Sequence, residues 1–209
     1  MSDTLILASA SPRRADLLRM IGCRFDIFPS NVDEQTDSGL SPGEVVSELA
    51  SRKAEDVARQ HPDRIVIGAD TVVVSDESIL GKPADREEAE KSLRRLSGTS
   101  HYVLTAISLV WLGRNREEQC LVRTDVQFRD LADEEIARYL DTDEPYDKAG
   151  AYGIQGRAAL FAESIRGCFY NVVGFPVTQF WLALDRITEG DPWAYGLSRQ
   201  APDLLSLGG

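Results

Sequence analysis

Positive charge is what this chain is short of. Its 209 residues carry 23 Lys and Arg against 34 Asp and Glu, a formal net charge of −11. A protein this acidic is a poor partner for DNA, RNA or an anionic membrane, because affinity there comes from neutralising many phosphates at once. Long apolar runs are missing too: none approaches the ~18 residues of a membrane span. The opening Met1-Ser-Asp-Thr has no basic stretch and only a short apolar segment after it, so no signal peptide is expected. Cysteine is scarce. Cys23, Cys120 and Cys168 are odd in number, scattered and without metal-type spacing, which reads as reduced core thiols of a cytoplasmic protein. Neither a P-loop, a dinucleotide fingerprint, a zinc spacing nor a nucleophile elbow occurs, and there are no repeats or low-complexity tracts. Hydrolysis by a Ser–His or Cys–His device therefore has no support, and His101 reads as a satisfied strand residue rather than a base.

What is present is ordinary globular material, 43% hydrophobic, long enough for one large domain or two lobes that bury roughly 70% of the unfolded surface. The stretch from Leu5 to Arg14 sets the theme. Leu5 to Ala8 read as a short buried strand, Ser9-Ala-Ser11 as a turn, and Pro12 as the first residue of a helix capped by Ser11 and stopped at Gly22. Arg13 and Arg14 thus stand at a helix N-terminus, where free N–H groups and the dipole favour an anion. Two cations there oppose the dipole. They are either solvated first-turn residues or a phosphate site.

Other candidates follow along the chain. Arg24 to Phe28 read as a second strand, and the polar loop after it carries Asp33, Glu34 and Asp37, either a solvated acidic loop or a source of a divalent-metal ligand. Ser41-Pro-Gly-Glu44 is a capping box that starts a helix to about Gln60, with Val46, Leu49, Ala50 and Val57 inward. Lys53 lies on that inward stripe, so it either snorkels or points into a polar cavity holding an anion. Arg64 to Ala69 read as a central strand with Asp70 at its carboxyl end, where α/β sheets gather ligands. Thr71 to Val74 extend it into a hairpin that delivers Gly81-Lys82-Pro83, with Lys82 either a phosphate contact or a surface lysine. A helix over Asp85 to Leu96, strands from His101 to Trp111 and through Cys120 to Phe128, and a helix over Asp133 to Leu140 come next. The segment from Asp143 to Gly156 is rich in glycine yet charged and aromatic, the composition of a ligand loop. A strand over Ala158 to Ile165, a turn over Gly167 to Asn171, a last helix from Val177 to Ile187 and a surface tail complete the reading.

In combination and in order, these pieces resemble the Maf-type nucleoside triphosphate pyrophosphatases from about Leu5 to Leu184. Ser9-Ala-Ser11-Pro12-Arg13-Arg14 is similar to the family's opening motif, Val32-Asp-Glu34 to its acidic loop, and Lys53 to its helix lysine. Gly68-Ala-Asp70-Thr71, Gly81-Lys82-Pro83, Asp147 to Gly156, and Asn171-Val-Val-Gly-Phe-Pro176 are similar to its later motifs. The resemblance implies an α/β fold: an elongated mixed β-sheet flanked by helices, in two lobes with a cleft between them, as in inosine-triphosphatase-like proteins. It implies one such domain over residues 1–187 and a C-terminal tail over 188–209. It further implies a cytoplasmic homodimer that cleaves dTTP and UTP between the α and β phosphates with Mg²⁺ or Mn²⁺. Asp70 would accept the proton of water, and Glu34 and Asp70 would hold the metal. Ser9, Ser11, Arg14, Lys53 and Lys82 would contact phosphate, and Arg13, Thr71 and Gln155 would select the base. The 7-methylguanosine-triphosphate branch typically carries an aromatic, a glutamine and a glutamate at these last three positions. Cys168, Phe175 and the longer tail depart from the usual pattern. The alternatives are a house-cleaning enzyme for other modified nucleotides and a nucleotide-binding regulator of septum formation.

Overall fold

A computed structural model describes residues 4–196. Its core is one seven-stranded sheet. Strand β1 (Leu5–Leu7) is wholly buried and leads into helix α1 (Pro12–Met20). Strand β2 (Phe25–Ile27) and helix α2 (Pro42–Ala58) follow. The capping box that starts α2 forms as expected: Glu44 N–H donates to Ser41 Oγ, and Ser41 N–H to Glu44 Oε2 at 2.8 Å. Strand β3 (Val66–Ser75) turns into β4 (Ser78–Leu80) through Asp76 and Glu77, both at positive φ (45° and 58°). That is the backbone a two-residue hairpin needs to match the twist of its strands. Helix α3 (Arg86–Leu96), strands β5 (Ser100–Trp111) and β6 (Arg116–Phe128), helix α4 (Asp133–Leu140), strand β7 (Ala162–Arg166) and helices α5 (Phe169–Val173) and α6 (Val177–Ile187) complete the chain.

The strand order is β2-β1-β3-β5-β6-β7, with β4 also on β3. β1 runs parallel to β2 and β3, and every other pairing is antiparallel. Side chains of β3 alternate between two cores, as a strand covered on both faces must. Ile67, Ala69 and Val73 join α1, α3 and α6 in the larger core. Val72 and Val74 pack with Val46 and Ala50 of α2, next to Leu104 and Ala106 of β5. No helix among the described residues is long and apolar enough to cross a membrane.

Four local expectations are corrected. Asp70 does not end its strand but sits mid-β3, opposite Ala106 of β5. Ser11 stands at the N-cap without a side-chain cap bond, and its own N–H donates back to Ser9 Oγ at 3.2 Å. The strand expected over Ala158 to Ile165 begins as a 3₁₀ turn, Arg157–Leu160. Ala158 and Phe161, three apart, are the buried residues there, and that is a helical spacing. The turn expected at Gly167 to Asn171 winds instead into α5, closed by Gly174 at φ 113°. Tertiary bonds hold this short helix, since buried Asn171 Nδ2 donates to Val103 O and to Thr124 Oγ1, both at 3.0 Å.

Beyond α6 the described part of the tail docks. Arg24 N–H donates to Tyr195 O at 2.9 Å, Cys23 bridges Gly196, and Trp193 packs edge-on to Trp181 with 4.9 Å between ring centroids. Residues 197–209 of the expected tail, and residues 1–3, lie outside the described part.

Candidate active site

The site grows from a gap at one edge of β3. Its ladder with β1 ends where Ala8 N–H donates to Ile67 O at 2.8 Å, and β4 begins pairing only at Val73. From Ala69 to Val72 that edge has no strand partner among the described residues. Unpaired strand carbonyls in a protein interior need donors, and for Ala69 O the donor is Arg14. Its Nη1 donates to Ala69 O at 2.8 Å and to Ser9 Oγ at 3.0 Å. Its Nη2 donates to Thr71 Oγ1 at 3.2 Å and its Nε to Gly174 O at 3.1 Å. A guanidinium has five N–H groups, and these bonds use four of them. Burial lowers the Arg14 pKa, with Asp70 the main opposing influence.

Asp70 points to the other face, toward α2. There Lys53 Nζ lies 2.7 Å from Asp70 Oδ1 and 2.7 Å from Glu34 Oε1. The Lys53 and Asp70 side chains are 12% exposed, that of Glu34 61%, so the cluster opens to solvent on the Glu34 side. The close approach of α2 depends on Gly68, where a Cβ would stand 2.1 Å from Ala50 O and 2.7 Å from Ala54 N. The bond from Lys53, and more weakly the charges of Lys82 and Arg14, pull the Glu34 pKa down against its partial burial.

The loop bearing Glu34 is pinned to α2 by residues that sequence reasoning missed. Arg52 donates to Gln35 O at 2.8 Å and to Asp33 O, and Ser30 Oγ donates to Asp56 at 2.9 Å. Their only sequence signal is spacing, since Arg52 and Asp56 are four apart on one helix face beside Lys53. Thr105 and Asn171 were missed as well. Thr71 Oγ1 lies 3.0 Å from Thr105 Oγ1, which donates to Asn171 O at 3.2 Å.

The remaining sequence candidates make few or no bonds to these two clusters. Arg13 pairs with Asp147 of the glycine-rich loop at 3.0 Å. Lys82 is exposed, on a loop steadied by the bond from Gly150 N–H to Gly81 O at 3.0 Å. Ser11 Oγ has no partner among the described residues, and the first-turn N–H groups of Arg13 and Arg14 have no earlier turn to bond. Thr71 is engaged internally, while Gln155 is exposed, without a hydrogen-bond partner among the described residues, and joined to neither Arg13 nor Thr71. His101 is buried on β5 with Nε2 2.8 Å from Tyr152 Oη, and burial pushes its pKa down to about 4, which makes it a neutral structural residue.

Two carboxylate oxygens thus lie within twice 2.7 Å of each other at the mouth of a cationic site. Among the described residues no group of three or more His, Cys, Asp or Glu forms a metal cage. The pair still fits Mg²⁺ or Mn²⁺, which in phosphoryl-transfer sites takes one or two carboxylates and completes its shell with phosphate oxygen and water.

Residues 4–187 match the model of a family described as "Maf-like protein". The "dTTP/UTP pyrophosphatase" of Geobacillus sp. (strain WCH70) is 52% identical over 175 residues, 84% of this chain and 93% of that protein. That of Symbiobacterium thermophilum is 53% identical over 176 residues, 83% of this chain and 88% of its own. Among solved structures, a HAM1 protein from Coxiella burnetii aligns with a TM-score of 0.44 and 17% identity, over 60% of this chain and 72% of its own.

Proposed function

This chain belongs to the Maf family, and on that premise we propose that it is a nucleoside triphosphate pyrophosphatase acting on dTTP and UTP. The products are the nucleoside monophosphate and pyrophosphate. The observation that carries the reading is the meeting of Glu34, Lys53 and Asp70 where β3 faces α2, with Arg13, Arg14 and Lys82 around it in a chain of net charge −11. An idle acidic surface has no use for such a concentration of cations. A triphosphate does.

Phosphoryl transfer asks mainly for positioning and charge neutralisation. Ser9, Ser11, the free N–H groups of the first turn of α1 and Lys82 hold phosphate oxygens, and Arg14 keeps the turn and β3 in register while offering its remaining N–H. Asp70 takes a proton from water as the water oxygen bonds to the α-phosphorus. The bond from that phosphorus to the bridging oxygen breaks, and pyrophosphate leaves with the electron pair. Lys53 exchanges Asp70 for a phosphate oxygen before this step, which leaves the carboxylate oxygen open to the water. Glu34 and Asp70 would hold Mg²⁺ or Mn²⁺, which when bound neutralises phosphate charge and acidifies water. Asp70 serves as base, as metal ligand, or as both. The Gln155 amide, donor and acceptor at once, reads the hydrogen-bonding edge of uracil or thymine with Arg13, and Thr71 contributes by anchoring Arg14. The reading includes a homodimer, as in the family, in the cytoplasm, to which the three unpaired cysteines are suited.

The test is pyrophosphate release from dTTP, UTP, dCTP, GTP and 7-methyl-GTP, with and without Mg²⁺ or Mn²⁺, by the wild type and by Asp70→Asn. We expect dTTP and UTP to lead, and Asp70→Asn to lose roughly 10²-fold in turnover while remaining folded. Near-normal turnover in the folded variant rejects the role of Asp70. A lead for 7-methyl-GTP makes this a house-cleaning enzyme, and binding without pyrophosphate release makes it a regulator.

A further inference from the structure

We propose that Glu144, together with Tyr139, is the positioning residue for base selection, holding the turn that presents Gln155 to the nucleotide; this rests on the pyrophosphatase reading and refines it. Gln155 lies in a β-turn closed by the bond from Gly156 N–H to Gly153 O at 3.0 Å, with Ile154 buried and Gln155 outward. A side chain at such a position points wherever the turn is aimed, so something must aim the turn.

Both ends of the turn hang from one buried-side carboxylate and its phenol partner. Glu144 Oε2 accepts the N–H of Arg157 at 3.0 Å, and Oε1 accepts that of Ala158 at 3.5 Å. Oε1 also accepts the Tyr139 hydroxyl at 3.0 Å, and that hydroxyl oxygen accepts the N–H of Gly153 at 3.3 Å. Burial and the nearby Glu144 charge raise the Tyr139 pKa, which keeps the phenol a donor. The anchor is fixed from behind as well: Lys148 Nζ donates to Glu144 O at 2.7 Å, and Glu144 N–H to Thr142 Oγ1 at 3.3 Å.

The two glycines that flank Ile154 and Gln155 follow from this arrangement. A Cβ on Gly156 would stand 2.2 to 2.5 Å from the atoms of the Glu144 carboxyl group, and one on Gly153 would stand 2.7 Å from Lys148 Cε. The loop is therefore wrapped around the Glu144 carboxylate and the Lys148 stem, with Gln155 at its free apex. Neither Glu144 nor Tyr139 touches the Asp70 cluster in any bond of the structure.

The experiment compares kcat/KM for dTTP with that for GTP in Gln155→Ala, Glu144→Ala, Tyr139→Phe and the Glu144→Ala/Gln155→Ala pair, each checked for folding by circular dichroism. Tyr139→Phe keeps the buried ring and removes only the shared hydroxyl, so it tests the proposal where Glu144→Ala fails to fold. We expect Glu144→Ala and Tyr139→Phe to lower the dTTP:GTP ratio about fivefold, the scale of one misplaced hydrogen bond, through KM for dTTP more than through kcat. Adding Glu144→Ala to Gln155→Ala should leave the ratio where Gln155→Ala put it, because a residue acting through another adds nothing once that one is gone. A merely structural role would lower both substrates together and leave the ratio unmoved, and that result overturns the proposal, as does a further loss of ratio in the pair. If Gln155→Ala itself leaves the ratio unchanged, the base-reading role fails and this inference with it. If the wild type releases no pyrophosphate from any nucleotide, the functional reading is what has failed.

Discussion

Lys53 carries two ion pairs at once, to a nearly buried carboxylate and to an open one, and the site depends on that balance. Lys53→Met leaves Asp70 and Glu34 facing each other with no ammonium between them. Stranding one partner of a buried pair costs about 3 kcal/mol, which lowers the Tm of a chain of this length by several degrees. A divalent cation offers the missing charge, so Mn²⁺ should raise the Tm of Lys53→Met by more than it raises that of the wild type. Thermal melts in EDTA and in Mn²⁺ measure both effects; equal melting in EDTA, or no added response to Mn²⁺, contradicts the arrangement. Acid provides a second axis. Because the folded-state pKa of Glu34 lies below its ordinary value, its contribution to stability is present above the ordinary carboxylate range and is lost as pH falls through the depressed folded value. The bond from Lys53 is the first cause of that depression, so in Lys53→Met the acid-dependent loss that belongs to Glu34 should shrink.

Elements meet at the site because one strand stops early and one glycine has no side chain. β1 ends at Leu7 while β3 runs on to Ser75, and the difference in length exposes the edge that Arg14 closes. On the opposite face Gly68 lets α2 press its Ala50–Ala54 ridge onto β3, which sets Lys53 against Asp70. Gly68→Ala would push a methyl group into helix backbone that has no rotamer to yield, so α2 must move away. We expect a loss of stability of about 2 kcal/mol, in the range for overpacking a core, and a fall in kcat beyond any effect on KM; a calorimetric melt with steady-state kinetics checks both, and normal kcat would mean that the helix does not set Lys53. This explains which features could be read in advance. The capping box of α2, the helix over α3 and the strand through Cys120 to Phe128 are local patterns, and they matched. The open edge beside Asp70 was not local, since it depends on the length of β1. Nor were the partners of Arg14 legible, because Gly174 is 160 residues away in sequence. The short α5 escaped notice because bonds from Asn171 to β5 and β6, rather than its own propensity, hold it.

The whole molecule adds a clasp outside the family match. That match ends at residue 187, yet the chain continues to the segment just before β2, where Tyr195 O accepts Arg24 N–H, Gly196 bridges Cys23 and Arg24 Nη2 donates to Ala194 O at 2.5 Å. Trp193 closes the clasp on Trp181 of α6, so the segment ties the last helix to the turn after α1. That turn is the far end of α1 from Arg13 and Arg14. Nine helical residues separate the two ends by about 13 Å, and none of the clasp bonds reaches β3 or the Glu34 loop. The clasp is thus placed to stabilise the parallel end of the sheet without touching the chemistry. Truncation after Gly190 keeps the bond from Gly190 N–H to Asp185 O that finishes α6 and removes everything just described. We expect the truncated enzyme to keep its kcat for dTTP while melting several degrees lower, and Trp193→Ala to show a smaller part of the same shift. An unchanged Tm would mean that the clasp contributes nothing, and a lost kcat would mean that it reaches the site by a route other than these bonds.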